Sequence, residues 1–190
     1  MTATPKTVHV PKPREDGFVP LGLAILSVSD TRTLETDTSG SILAERAEGA
    51  GHVVRHRDVV TDDVEIIQAR VREWAADPEI HAIVTTGGTG LTGRDVTPDA
   101  VAPLLDKVID GFSVVFHTVS YQSVGLSTIQ SRALAGISNR TYVFVLPGSS
   151  GAVKDGWDHA IGPQLDARNR PCNLVQIMPR LGEGQPAWTV

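Results

Sequence analysis

Ile80-His81-Ala82-Ile83-Val84-Thr85-Thr86-Gly87-Gly88-Thr89-Gly90 is the stretch on which the fold turns. Residues 80–86 are a short, mostly apolar run, suited to a strand buried on both faces of a sheet. The glycines at 87, 88 and 90 then end it abruptly. Working back toward the N-terminus, Val64, Ile67, Val71 and Trp74 recur at helical spacing, with Asp62 or Asp63 placed to cap that helix. His52 to Val60 reads as a strand. Before it, Ile42, Leu43, Ala47 and Ala50 form the apolar stripe of a helix that begins near Asp37-Thr38-Ser39 and stops at Gly51. Leu21 to Val28 is another short apolar run and the first strand.

Working forward, Thr97-Pro98 opens a helix with proline at its favoured first position. Gly111 to Gln122 has a looser helical pattern, Tyr142 to Leu146 is a strong late strand, and Ser149 to Leu165 reads as the helix after it. Strands and helices alternating at these intervals imply right-handed crossovers. The expected fold is α/β: a three-layer αβα domain around a mostly parallel central sheet. The body spans 18–177. Residues 1–17, polar and bearing Pro5, Pro11 and Pro13, read as a mobile arm, or as one that packs on a neighbouring subunit; 178–190 reads as an irregular tail.

The chain's 190 residues suit one domain with a core of its own. The 17 basic and 22 acidic side chains give a net charge of −5, which argues against nucleic acid as the main partner. A small anion remains compatible, because backbone N–H groups bind phosphate on an acidic protein. Cys172 is the only cysteine, so it has no internal disulfide partner and reads as a structural thiol in a reduced, cytoplasmic compartment. No segment resembles a secretory signal or a membrane span.

In open α/β sheets, ligands bind beyond the carboxyl ends of the strands. Ser29-Asp30-Thr31-Arg32 and Asp37-Thr38-Ser39-Gly40 follow the first strand, the glycine turn and Arg94-Asp95-Val96-Thr97-Pro98-Asp99 follow the third, and Pro147-Gly148-Ser149-Ser150 follow the late one. The turn is neither GxxxxGK[ST] nor GxGxxG. Its bare backbone, with the Thr86 and Thr89 hydroxyls, suits phosphate oxygens; the plainer reading is a tight turn closing a strand. Asp95 and Asp62 are candidate Mg²⁺ ligands, since such sites join one or two carboxylates to phosphates; both also suit helix N-termini. Asp99 reads as an ordinary helix-start carboxylate, and Asp63 as a solvent-exposed one. Arg132, within Thr128 to Gly136, reads either as a phosphate fork or as a surface or interface arginine. The six histidines lack ligand spacing; Trp74 reads as core, and Trp157 as core or a subunit contact.

AILSVSDTR (24–32), DTSG (37–40), TTGGTG with RDVTPDA (85–100), SRALAG (131–136) and VLPGS (145–149) together resemble the MoaB/MogA family of molybdenum cofactor biosynthesis, whose domain also occurs in gephyrin-type proteins. The resemblance covers roughly 18–175, and QLDARNRPCN (164–173) is closer to the MoaB branch. It implies a molybdopterin-binding fold. It also implies, in active members, Mg²⁺- and ATP-dependent adenylylation of molybdopterin, with the pterin's terminal phosphate attacking the α-phosphate of ATP. By motif position it assigns catalytic and metal-binding roles to Asp62 and Asp95. Ser27, Ser29, Gly87, Gly88, Thr89, Gly90, Ser131, Pro147, Gly148 and Ser149 fall on the segments of the pterin and nucleotide pocket. Trimers, or hexamers of two trimers, and contacts with other proteins of the pathway are implied as well. Two further functions stay open at this point: a non-catalytic molybdopterin carrier or scaffold, and a nucleotide-binding regulator.

Overall fold

The computed structural model describes Lys6 and residues 9–183. Six strands form one sheet: β1 (Gly22–Val28), β2 (Val53–Val60), β3 (Ala82–Thr86), β4 (Lys107–Val108), β5 (Leu134–Ser138) and β6 (Thr141–Leu146), in the order β2-β1-β3-β6-β5-β4. The first four strands of that order are parallel, while β5 runs antiparallel to β6, and β4 to β5. The alternating segments read from the sequence are therefore the parallel part. The two short antiparallel strands extend it.

Helices cover both faces. On one side lie α1 (Thr38–Gly49), α4 (Asp110–Val124) and α5 (Ser150–Gly156), which continues through a π turn at Trp157–Ile161 into α6 (Gly162–Leu165). Leu43, Phe116 and Val153 meet Leu23, Ile25, Val84 and Phe144 there. On the other side α2 (Val64–Ala76) and the five-residue α3 (Thr97–Val101) pack Ile67, Val71, Trp74 and Val101 against Leu26, Ile83 and Val145. Every residue of β1, β3 and β6 is buried as a result. Each fully buried aliphatic side chain contributes about 1.5–3 kcal/mol, so the central strands read as mostly apolar runs. β2 is an edge strand, and its Arg55, His56, Arg57 and Asp58 keep that edge polar.

The N-terminal segment, read as a mobile arm, meets the body at several described points, although residues 12–17 are exposed. Lys6 is buried and donates through Nζ to the carbonyls of Asp77 and Ile80 and to the Thr141 hydroxyl. Burial draws its pKa down to about 8, against the pull of Asp77. The His9 carbonyl meets His81 Nε2 at 2.8 Å, and Val10 packs on the core. A basic side chain supplies what the polar composition seemed to lack, a buried anchor at the C-terminal end of α2. Of the tail, Met178–Arg180 form a 3₁₀ turn with Met178 in the core; positions 184–190 lie outside the described residues. Cys172, expected as a structural thiol, is exposed because it sits in the loop before α7 (Leu174–Ile177).

The winding of the parallel sheet reverses at β1: the β1-to-β2 crossover goes outward, and the return to β3 passes to the far side of β1. This opens a crevice beyond the carboxyl ends of those strands.

Candidate active site

Two helix N-termini point into that crevice. α1 begins at Asp37 and α5 at Ser149, whose Oγ accepts from Ala152 N at 3.2 Å. Between them lies a polar cleft of about 330 Å³, lined by Ser27, Ser29, Thr38, Ser39, Gly87, Gly148 and Ser149, with Arg32 and Asp37. Free N–H groups and two dipole ends facing one hollow favour an anion.

Asp37 holds this corner together rather than binding a ligand. One oxygen accepts from Gly40 N at 2.9 Å and the Ser39 hydroxyl at 3.2 Å; the other accepts from the Ser27 hydroxyl at 2.7 Å and Arg57 at 3.0 Å. Burial pushes its carboxyl upward, but Ser27, Gly40 and Arg57 outweigh that and hold it below the usual range. All four acceptor positions are filled, so the carboxylate has no free lone pair to offer. Ser27 is likewise committed, and its part in the pocket is to support this network.

The glycine bend is the hub of the rim. A Cβ at Gly87, where φ is +99°, would strike the Val28 carbonyl at the end of β1; a Cβ at Gly148 would come 3.2 Å from Gly87 Cα. Asp62 and Asp95 each sit over one glycine of the same bend. The Cβ position of Gly88 lies 2.6 Å from Asp62 Oδ1, and that of Gly90 lies 2.7 Å from Asp95 Oδ2. The absence of side chains at these two positions is what admits the carboxylates.

The two aspartates differ in character. Burial, then the charges of Asp30 and Asp95, raises the Asp62 carboxyl above its ordinary pKa, although Arg94 pulls the other way. The main-chain N–H of Asp62 donates to Asp30, which Arg94 grips at 2.6 Å. Asp95 accepts from the hydroxyl of Thr92 at 2.6 Å and its N–H at 2.9 Å; the hydroxyl leads in holding its pKa down, against a smaller effect of burial. Among the described residues no group of three or more His, Cys, Asp or Glu could hold a metal ion. The donors at hand are carboxylate oxygens, which fit a hard cation that completes its shell with phosphate and water.

The other expected site residues sort by position. Ser29, Gly87, Gly148 and Ser149 line the cleft. Thr89 is buried, and its carbonyl is taken by Arg132 N–H. The Thr86 hydroxyl, expected to face phosphate, is spent on the Pro147 carbonyl at 3.0 Å, an internal brace of the rim. Ser131 does not line the cleft: its hydroxyl turns to His117 and the Thr128 carbonyl. Arg132 is not a free phosphate fork, because Asp99 and two main-chain carbonyls occupy it. Arg32, Thr38, Ser39 and Ser150, which lie in the strand-end segments read from sequence as polar but were given no individual role, line the cleft as well. Sequence reading missed Arg57 as the partner of Asp37, because a strand position carries no short motif that marks it.

The sequence and the fold match a known family. Residues 24–167 match the model described as a probable molybdopterin binding domain. The chain is 46% identical over 157 residues to molybdenum cofactor biosynthesis protein B of Escherichia coli K12, covering 83% of this chain and 92% of that one. This chain belongs to the MoaB/MogA family. A crystal structure of molybdenum cofactor biosynthesis protein B superposes with a TM-score of 0.75 at 44% identity, covering 77% of this chain and 91% of that one. A molybdopterin biosynthesis protein from Mycobacterium abscessus gives 0.71 at 32% identity, covering 84% and 95%. As a MoaB/MogA family member, the chain has the α/β fold of its neighbours. Among its described residues no helix is long and apolar enough to cross a membrane.

Proposed function

We propose that this protein catalyses Mg²⁺- and ATP-dependent adenylylation of molybdopterin. The observation that carries the reading is the placement of Asp62 and Asp95 over Gly88 and Gly90 of one bend; Gly87 of that bend lines the cleft that two helix N-termini face, while the two carboxylates lie outside its lining. In the reaction the terminal phosphate oxygen of the pterin bonds to the α-phosphorus of ATP. The bond from that phosphorus to its bridging oxygen breaks, and pyrophosphate leaves with the electron pair.

Mg²⁺ would supply charge neutralisation at the crowded phosphates. The protein's own part is orientation. The start of α5, with Gly148 and Ser149, and the start of α1 present N–H groups to phosphate oxygens, and Asp62 and Asp95 would hold the cation against them. No protein nucleophile is required. The decisive assay is conversion of molybdopterin and ATP to adenylylated product by the purified chain, with and without Mg²⁺.

A non-catalytic molybdopterin carrier is the second reading. It is favoured by Asp95, whose Oδ2 is already engaged twice by Thr92. Absence of product with intact pterin binding would establish it.

The pH dependence follows from the raised Asp62 carboxyl. It must be ionised to hold a cation, so kcat/KM is expected to fall as pH drops toward its elevated pKa. Asp30→Asn removes a repelling charge and frees Arg94, and is expected to shift that acid limb to lower pH. The same sign governs stability. Ionised Asp62 opposes folding above its unfolded pKa, so Asp62→Asn is expected to stabilise the apo chain at neutral pH. The gain is below about 1 kcal/mol, because the group is largely solvated.

Self-association is part of the proposal. Val114 and Tyr121 of α4, with Leu126 and Ile129 of the following 3₁₀ turn, stand 57–71% exposed. Apolar exposure on this scale suits subunit contact. A trimer or dimer of trimers is expected in light scattering, and Leu126→Glu with Ile129→Glu is expected to shift it to monomer.

A further inference from the structure

The loop that carries Asp95 has little to hold it. Leu91, Thr92, Gly93 and Arg94 are all exposed. The Thr92–Asp95 bonds close the loop on itself without tying it to the body. Arg94 reaches Asp30 on one side. On the other side stands Arg132. Its main-chain N–H donates to the Thr89 carbonyl at 3.0 Å and its Nε to the Gly90 carbonyl at 3.0 Å. One terminal nitrogen donates to both Asp99 oxygens at 2.9 Å, and the other to the main-chain carbonyl of Asp95. One side chain thus joins the glycine bend, the aspartate loop and the first turn of α3.

We propose that Arg132 is a positioning residue that fixes the Asp95 loop and the glycine bend in register opposite Asp62. The claim rests on the proposed function in taking Asp95 as a working carboxylate. The topology explains why the arginine stands where it does. β5 runs antiparallel to β6, so its beginning, not its end, reaches the functional rim. The short antiparallel extension therefore delivers Arg132 to the carboxyl ends of the parallel strands. A lysine cannot substitute, because its single ammonium cannot span a carboxylate and two carbonyls that a planar fork bridges. Asp99, read from sequence as a helix-start carboxylate, anchors the fork.

The test uses the full chain as wild type, Arg132→Ala and Arg132→Lys. Three quantities are measured: Mn²⁺ binding in the presence of ATP by electron paramagnetic resonance, hydrogen exchange of peptides covering 87–96, and the thermal midpoint. Both variants are expected to weaken Mn²⁺ binding by at least about tenfold, as loss of a ligand-orienting partner does. Both are expected to speed exchange across 87–96 well beyond the change elsewhere in the chain. Millimolar methylguanidinium is expected to restore binding in Arg132→Ala but not in Arg132→Lys. If Arg132→Ala does not fold, the lysine variant alone decides. Mn²⁺ binding that stays within about twofold of wild type in the lysine variant, or unchanged exchange at 87–96, overturns the positioning role. So does a wild-type chain that binds no Mn²⁺ with ATP. Product formation is scored separately. If wild type binds Mn²⁺ with ATP, loses it in the variants and yet makes no adenylylated product, the positioning role stands and the proposed function falls.

Discussion

Asp95→Asn is expected to lower the rate of molybdopterin adenylylation at saturating substrates by about 10²–10³-fold, the usual cost of removing one electrostatic contact to a reacting phosphate. Asparagine keeps the shape and can still accept from Thr92, so the loop stays closed while the charge is lost. Stability is therefore expected to change little, and molybdopterin affinity to stay within about threefold, a change worth under 1 kcal/mol. Asp62→Asn is expected to match this loss. The double variant is expected to be no slower than the slower single one, because groups that grip one cation act as a unit. Rates from product formation and affinities from calorimetry check each part. Turnover of the Asp95 variant within about threefold of wild type would remove Asp95 from the cation's shell. A matched loss of pterin affinity would move the residue from catalysis to recognition.

The parallel core was legible because its strands lie between two helical layers. Burial on both faces makes Gly22–Val28, Ala82–Thr86 and Thr141–Leu146 mostly apolar runs without a strict alternation. The antiparallel extension was not legible. β4 has two residues, and β5 joins β6 through Asn139-Arg140, both at positive φ. That is a tight hairpin turn made without the Asn-Gly pair that would announce it. The stretch from Thr128 to Gly136 offers a candidate phosphate fork, yet its arginine points inward to carbonyls rather than outward to phosphate. A sequence shows that a fork of donors exists, but whether protein acceptors already fill it depends on the tertiary fold.

The rim was legible in a different way. Glycines, hydroxyls and carboxylates cluster after β1, β3 and β6, and parallel strands bring those ends to one edge. Which members face the ligand was hidden by pairing across distant segments. Thr86 bonds Pro147, Ser27 bonds Asp37, and Arg57 reaches Asp37 from a neighbouring strand. The contacts of Lys6 were hidden for a related reason. A lysine in a polar, proline-bearing stretch suggests solvation, but the carbonyls at the end of α2 and the Thr141 hydroxyl make a buried acceptor set for it.

The glycine bend offers the sharpest separation of fold from catalysis. At Gly88, φ is +60°, and an added Cβ would overlap the buried Thr97 hydroxyl and stand 2.6 Å from Asp62 Oδ1. Gly88→Ala is expected to cost about 1–2 kcal/mol of stability, as alanine in left-handed backbone does. It is also expected to lower adenylylation by about 10²-fold, because the Asp62 side chain can move aside and thereby leaves its place. Gly87→Ala meets the Val28 carbonyl, which is backbone within the sheet and cannot yield without parting β1 from β3. Its expected cost is larger, about 2–4 kcal/mol. Gly93 has nothing within 4 Å of its Cβ position and serves as the control on the same loop, with alanine there expected to be silent. Urea unfolding and single-turnover rates on the three variants test the order. The large kinetic effect belongs to Gly88 and the larger stability effect to Gly87, since one glycine makes room for a movable carboxylate and the other for a fixed strand. Equal stability losses at 87 and 93, or full activity in Gly88→Ala, would mean that the bend shapes neither the sheet edge nor the position of Asp62.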